Sequence, residues 1–141
     1  MQHSFLTIAF AVGVACARPV HAETWDTGFA RGLQTYSTSA DDGRLVMVCD
    51  PDRVYNRQVS YASFVATLPG DPDASQLVFL AASGQQATFA VTGGTATQQD
   101  ASAADWSALI EMIRRGGQFA VVTPRYTFSL DMESMPGFRC S

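Results

Sequence analysis

The sequence predicts a mainly β fold: a sandwich or open barrel of about seven antiparallel strands with one amphipathic α-helix, following a cleaved signal peptide. Three observations carry this expectation. Short apolar runs recur along the chain with turn-forming residues between them. After the leader, only residues 102–117 have helical periodicity. At the start of the chain, an apolar leader precedes a small-residue cleavage motif.

Residues 1–22 read as a secretory signal. FLTIAFAVGVA at 5–15 is apolar but short of the ~20 residues that a spanning helix needs. Val20-His21-Ala22 fits an A-x-A-like cleavage site, which makes Glu23 the first mature residue and 23–141 one β-rich exported domain. Ala15-Cys16-Ala17 offers a second cleavage site. Cys16 also raises lipidation, against which Gly13 stands where a lipobox has a large aliphatic residue. Cleavage changes the chemistry available. Both histidines, His3 and His21, leave with the leader, and the chain has no lysine. Cys49 and Cys140 remain as an even pair, which in an exported chain reads as a disulfide. Closing a loop of about 90 residues stabilises a domain by up to about 4–5 kcal/mol. The mature charge is eight arginines against thirteen acidic residues, or −5, with no basic stripe. Nucleic-acid binding and charge-driven binding to anionic lipid are excluded on that ground. No later segment is suited to permanent membrane insertion, so the expected location is periplasmic or secreted.

The mature chain opens with ETWDTGFARGL at 23–33, where Trp25 and Phe29 suit either a helical turn or an edge strand. Residues 34–39 are β-tolerant around Tyr36, and Asp41-Asp42-Gly43 is a turn signal. RLVMVCD at 44–50 is apolar on both alternations: Leu45, Met47 and Cys49 oppose Val46 and Val48. This predicts a central strand covered on both faces and ended by Pro51. A second strand is expected over 59–68, followed by the turn cluster Pro69-Gly70-Asp71-Pro72-Asp73. QLVFLA at 76–81 reads as a buried-type strand, and with the alternating 86–91 it forms a predicted hairpin around Ser83-Gly84. Gly93-Gly94 ends it, and 95–99 is a short polar edge strand or loop.

Residues 102–117, SAADWSALIEMIRRGG, then form the helix. Ser102 is the N-cap, and Asp105 favours the positive helix end although its side chain is short for a capping box. Trp106, Leu109, Ile110 and Ile113 fall at i, i+3, i+4 and i+7 on one face, which needs a sheet to pack on. Arg114 and Arg115 complement the negative end, and Gly116-Gly117 stop the helix. QFAVVT at 118–123 and RYTFSL at 125–130 flank Pro124 as a predicted hairpin. The tail 131–141 is expected as a loop that returns Cys140 to Cys49.

This order runs from a strand ending in Cys49, through the W-x-x-L-I helix and its Gly-Gly break, to Phe128-Ser129-Leu130 and finally Gly137-Phe138-Arg139-Cys140. It resembles small periplasmic proteins of proteobacteria of the invasion-associated-locus-B and type VI secretion accessory type. The resemblance spans residues 44–140. It implies a secreted β-domain without known catalysis and transfers no functional residues. The second cysteine pair of the invasion-locus proteins is missing here.

Without histidine the mature chain has no imidazole to activate a serine or cysteine nucleophile. Without lysine it cannot form a Schiff base, and two cysteines make a poor zinc set. No phosphate-binding glycine loop occurs, so no cofactor or metal is implied. Carboxylate-only chemistry remains open, with Asp50, Asp52, Asp105, Glu111, Asp131 and Glu133 as candidates and no pair singled out. Asp50-Pro51-Asp52 and Asp71-Pro72-Asp73 repeat a motif that suits a turn or, less well, a hard cation. Arg53, Tyr55, Arg57 and Tyr61 form a polar-aromatic cluster of the kind that anchors interfaces. The leading expectation is therefore a non-enzymatic domain that binds a protein or cell-envelope component. The alternatives are an envelope polysaccharide hydrolase and a purely structural envelope protein.

The intact mass of the natively processed chain tests the leader and the disulfide together. It should begin at Glu23, lie about 2 Da below the reduced form, and alkylate at two thiols only after reduction. An uncleaved chain with three alkylatable thiols would contradict both expectations.

Overall fold

A computed structural model describes residues 22–40, 42–59 and 61–140. Apart from Ala22, the signal peptide, with Cys16 and its lipidation, lies outside the described residues. Among the described residues the chain forms nine strands and one helix. The strands are β1 (Asp26–Ala30), β2 (Leu33–Ala40), β3 (Gly43–Cys49), β4 (Ala62–Thr67), β5 (Gln76–Ala81), β6 (Gln86–Ala90), β7 (Thr95–Thr97), β8 (Gly117–Val122) and β9 (Thr127–Met132); the helix is α1 (Ala103–Arg115). They make two antiparallel sheets, ordered β1-β2-β3-β4-β7 and β6-β5-β8-β9. The arrangement is a sandwich rather than an open barrel.

The strand count exceeds the expected seven because β1 and β7 are short edge strands without an apolar alternation. Such strands supply hydrogen bonds but little burial, so periodicity does not reveal them. The predicted hairpins β5–β6 and β8–β9 form as expected. β8 also pairs with β5 across the intervening helix, and β7 returns to β4 instead of β6. In β3 and β5 the two-sided apolar pattern overstated burial. Leu45, Met47, Cys49, Leu77 and Phe79 face the core, Val46, Val48 and Val78 are half-buried on the outer faces, and Leu80 is exposed. The strand expected from 59 begins at Ala62, and Val59 remains exposed in the preceding loop.

An aromatic cluster joins both sheets to the helix. Phe64 of β4 meets Phe79 of β5 and Phe89 of β6 edge-on, at centroid distances of 5.3 and 5.0 Å. Trp106 of α1 stacks on Phe64 at 6.4 Å and meets Phe89 edge-on at 6.2 Å. Each such pair adds about 0.5–1.5 kcal/mol beyond the area it buries. Trp106, Leu109, Ile110, Met112 and Ile113 are the buried face of α1, as the spacing predicts, with Met112 added.

Polar contacts set where α1 begins and ends. Ser102 Oγ accepts the Asp105 N–H at 3.0 Å. The Asp105 carboxylate accepts the Ser102 hydroxyl and, at 2.9 Å, the N–H of Thr88 on the outer edge of β6. The residue too short for a capping box thus ties the helix to a sheet edge. Gly116 caps the other end at φ 67°, its N–H on the Met112 carbonyl. A Cβ there would lie 2.5 Å from Ser134 N, so the site requires glycine twice over. Gly117 does not extend the stop; it begins β8.

The tail is longer in strand than expected, with β9 reaching Met132, and then crosses the core to the Cys49–Cys140 disulfide. Trp106 Nε1 donates to the Cys140 carbonyl at 3.1 Å and Arg114 Nε to the Phe138 carbonyl at 3.0 Å. Phe138 is buried between Trp25, at 6.2 Å, and Tyr36, at 4.8 Å, which makes Trp25 part of the core plug.

Two carboxyls carry a pH dependence. Asp105 is held below the usual 3.8 by the Ser102 hydroxyl and the Thr88 N–H. Asp71, also buried, is held below it by the Thr123 hydroxyl and the Arg125 guanidinium, which lie 2.8 and 2.7 Å away. A depressed folded pKa contributes stability that is complete above the unfolded value, near pH 4, and is lost as pH falls through the folded value. The Asp71→Asn/Asp105→Asn variant should be less stable than the parent at neutral pH. It should also lose less further stability on acidification, measured as the urea midpoint from about pH 6 down to about pH 2.5.

Candidate functional site

Between β3 and β4 the chain leaves the sheet and arches over its outer face. Asp50 sets the arch. It is buried, and both carboxylate oxygens are taken by backbone: Oδ1 accepts the Val54 N–H at 2.7 Å and Oδ2 the Tyr55 N–H at 2.9 Å. Its carbonyl accepts the Arg53 N–H at 3.2 Å, and its own N–H donates to the Tyr61 carbonyl at 2.8 Å, closing the base of the loop. Arg53 has φ 55°, a left-handed conformation unusual for a non-glycine residue. Asn56 Oδ1 accepts the Gln58 N–H at 2.9 Å in a local turn. Tyr55 then reaches across to the β1–β2 turn, its hydroxyl donating to the Arg31 carbonyl at 2.5 Å.

Beneath and beside the arch lies an open groove of about 510 Å³. Its lining includes Leu33 and Thr35 of β2, Val48 of β3, and Tyr55, Val59 and Tyr61 of the loop. These strand positions are the outward alternation: Thr35 pairs with Val48 across β2–β3, opposite in facing to the core residues Tyr36 and Met47. Three of the chain's five exposed large apolar side chains among the described residues, Val54, Tyr55 and Val59, belong to this one loop. Arg53 and Arg57 are exposed on it, their guanidinium groups without a hydrogen-bond or ion-pair partner among the described residues.

The YfjT family model matches residues 23–134, which include both sheets, the helix and the whole arch. The chain belongs to the YfjT family. No curated protein and no solved structure matches it.

In this YfjT chain, the four residues of the polar-aromatic cluster all lie on or at the end of the arch. Tyr55 and Tyr61 line the same groove, while Arg53 and Arg57 project from the loop and do not line it. The cysteine pair is bonded, which fits an oxidising compartment, extracellular or periplasmic. No helix among the described residues is long and apolar enough to cross a membrane. The candidate carboxylates are dispersed. Asp50 and Asp105 are committed to backbone and cap contacts. Glu111 pairs with Arg115 at 3.3 Å on the exposed helix face. Asp131 lines a second groove, of about 500 Å³, on the outer face of β5, β8 and β9.

Both Asp-Pro-Asp motifs are turns in which the first aspartate is buried and the second exposed. Asp71 accepts the Ala74 N–H on its carbonyl at 3.2 Å and uses both side-chain oxygens on Thr123 and Arg125. Among the described residues no group of three or more His, Cys, Asp or Glu side chains is placed to share a metal. Sequence reasoning missed the participation of Leu33, Thr35 and Val48 in the groove. Their outward alternation was readable, but the loop folding over them was not.

Removing the Asp50 carboxylate should release the arch. Asp50→Ala should cost about 1–3 kcal/mol, since it strips two N–H groups of their acceptor, and should expose residues 51–59 to limited proteolysis. A loop as resistant as the parent's would show that Asp50 does not hold it.

Proposed function

We propose that this chain is a non-enzymatic exported domain, periplasmic or secreted, that binds a protein or cell-envelope component through the groove and arch on the outer face of its first sheet. One observation carries the reading: a buried aspartate spends both oxygens holding Val54 and Tyr55 in an exposed loop. Holding apolar and aromatic groups in water is costly unless a partner covers them, and such patches mark interaction sites. Arginine and tyrosine are the residue types that carry most binding energy at interfaces. The groove beside them offers an apolar floor with tyrosine walls, as a binding cleft requires. The resemblance to small periplasmic proteins of the invasion-associated-locus-B and type VI secretion accessory type supports the same assignment. The hydrolase reading gains nothing from the site, because no carboxylate lines the groove and Asp50, at the base of the arch, is buried with both oxygens hydrogen-bonded.

The variant Arg53→Ala/Tyr55→Ala/Arg57→Ala tests the site. Co-purification of partners from the native envelope should fall at least about tenfold, a loss of 1.4 kcal/mol or more. The domain should stay folded, with thermal unfolding changed by no more than the loss of the one exposed Tyr55–Arg31 hydrogen bond. Undiminished co-purification would remove the arch from the binding surface.

A further inference from the structure

Each sheet ends in two edge strands, and their free edges are guarded unequally. In the second sheet, β6 is capped at Thr88 by Asp105. β9 is overlaid by Glu23, whose N–H donates to the Asp131 carbonyl and whose carbonyl accepts the Glu133 N–H. In the first sheet, β7 has three residues and is followed almost at once by the helix. β1 differs from all of these. It has five residues, all exposed except Gly28, and among the described residues no strand lies on its far side.

The turn after β1 defines which of its groups are free. Arg31 and Gly32, at φ 53° and 82°, form a two-residue turn of the I′ kind, with Ala30 opposite Leu33. In such hairpins the flanking pair is hydrogen-bonded. Alternation along the ladder then turns Gly28 and Asp26 toward β2 and leaves the N–H and C=O groups of Thr27 and Phe29 pointing outward. Phe29 is 80% exposed, more than any other large apolar residue described. The strand has neither the proline nor the lysine that commonly blunts an edge.

We propose that the outer edge of β1 pairs antiparallel with the β1 edge of a second copy of this chain, joining two five-stranded sheets into one. Charge argues for this occupant. The segment DTGFAR is acidic at one end, Asp26, and basic at the other, Arg31. In antiparallel pairing each Asp26 faces the other copy's Ala30, next to the turn residue Arg31, whereas parallel pairing sets like charges together. With Gly28 on the two-fold axis, Thr27 of each copy faces Phe29 of the other. The outward groups then form about four backbone hydrogen bonds. The two Phe29 rings fall on the same sheet face as diagonal neighbours, within reach of each other.

Sedimentation of the natively processed chain from about 1 to about 500 µM should show a reversible dimer. Phe29→Lys should raise the dimer dissociation constant at least about tenfold without shifting the unfolding midpoint at concentrations where the parent is monomeric. Asp26→Arg and Arg31→Asp should each weaken the dimer, and the two together should restore it. Val59→Ser, in the groove lining, should leave it unchanged, which separates this edge from the groove. A monomer across the whole range would overturn the proposal. So would a Phe29→Lys variant as dimeric as the parent, a charge-swapped double variant no tighter than the single ones, or a dimer lost with the Val59 substitution.

Discussion

The Cys49–Cys140 bridge is the constraint on which the rest of this sandwich depends. Cys49 ends β3, at the centre of the first sheet, and Cys140 lies 91 residues away in a tail with no regular structure of its own. A tail of that kind loses its conformational entropy only if something holds it. Here the bond fixes the tail at one point, and the contacts around it do the rest. Trp106 reads the Cys140 carbonyl, Arg114 reads that of Phe138, and the Phe138 ring fills the space between Trp25 and Tyr36. The helix, the first sheet and both ends of the described chain therefore meet at one place. The bond fits an oxidising compartment.

Aspartate is the second recurrent device. Asp50, Asp71 and Asp105 each sit where a loop or helix end meets a sheet; Asp50 spends its carboxylate on its own loop, while Asp71 and Asp105 reach another segment. Buried carboxylates are tolerated only when every oxygen finds a donor. In a chain without lysine, most of those donors are backbone N–H and hydroxyl groups, with Arg125 the single cation. This explains how an acidic chain can bury Asp50 and Asp71. It also explains why Asp50 and Asp105, which look available for chemistry in the sequence, are structural in the fold.

Much of the fold was legible. The helix could be placed from a cap residue and four apolar positions, the hairpins from a Ser-Gly turn and a proline, and the disulfide from an even cysteine pair after residue 22. Each of these is a local pattern or a matter of counting. The pairings of β8 with β5 and of β7 with β4 were not legible, because they join segments far apart through backbone groups that every residue carries. The groove was half legible. Tyr55 and Tyr61 stood out by type, and Arg53 and Arg57 by charge. Leu33, Thr35 and Val48 became part of a site only when a loop folded across the sheet's outer face.

By itself, then, the sequence determined a β-rich class, one helix with its buried face, the bridging cysteines and a chain without lysine whose two histidines both fall in its first 22 residues. These follow from side-chain type and spacing, which are local properties. Tertiary structure alone decided that the strands split into two facing sheets, which alternation of each strand meets the core, and which edges are covered. It also decided that Asp50 is a loop anchor and Phe29 an exposed residue on an open edge. Those outcomes depend on which hydrogen-bonding and apolar groups remain unsatisfied once all segments are packed, and that is a property of the whole chain.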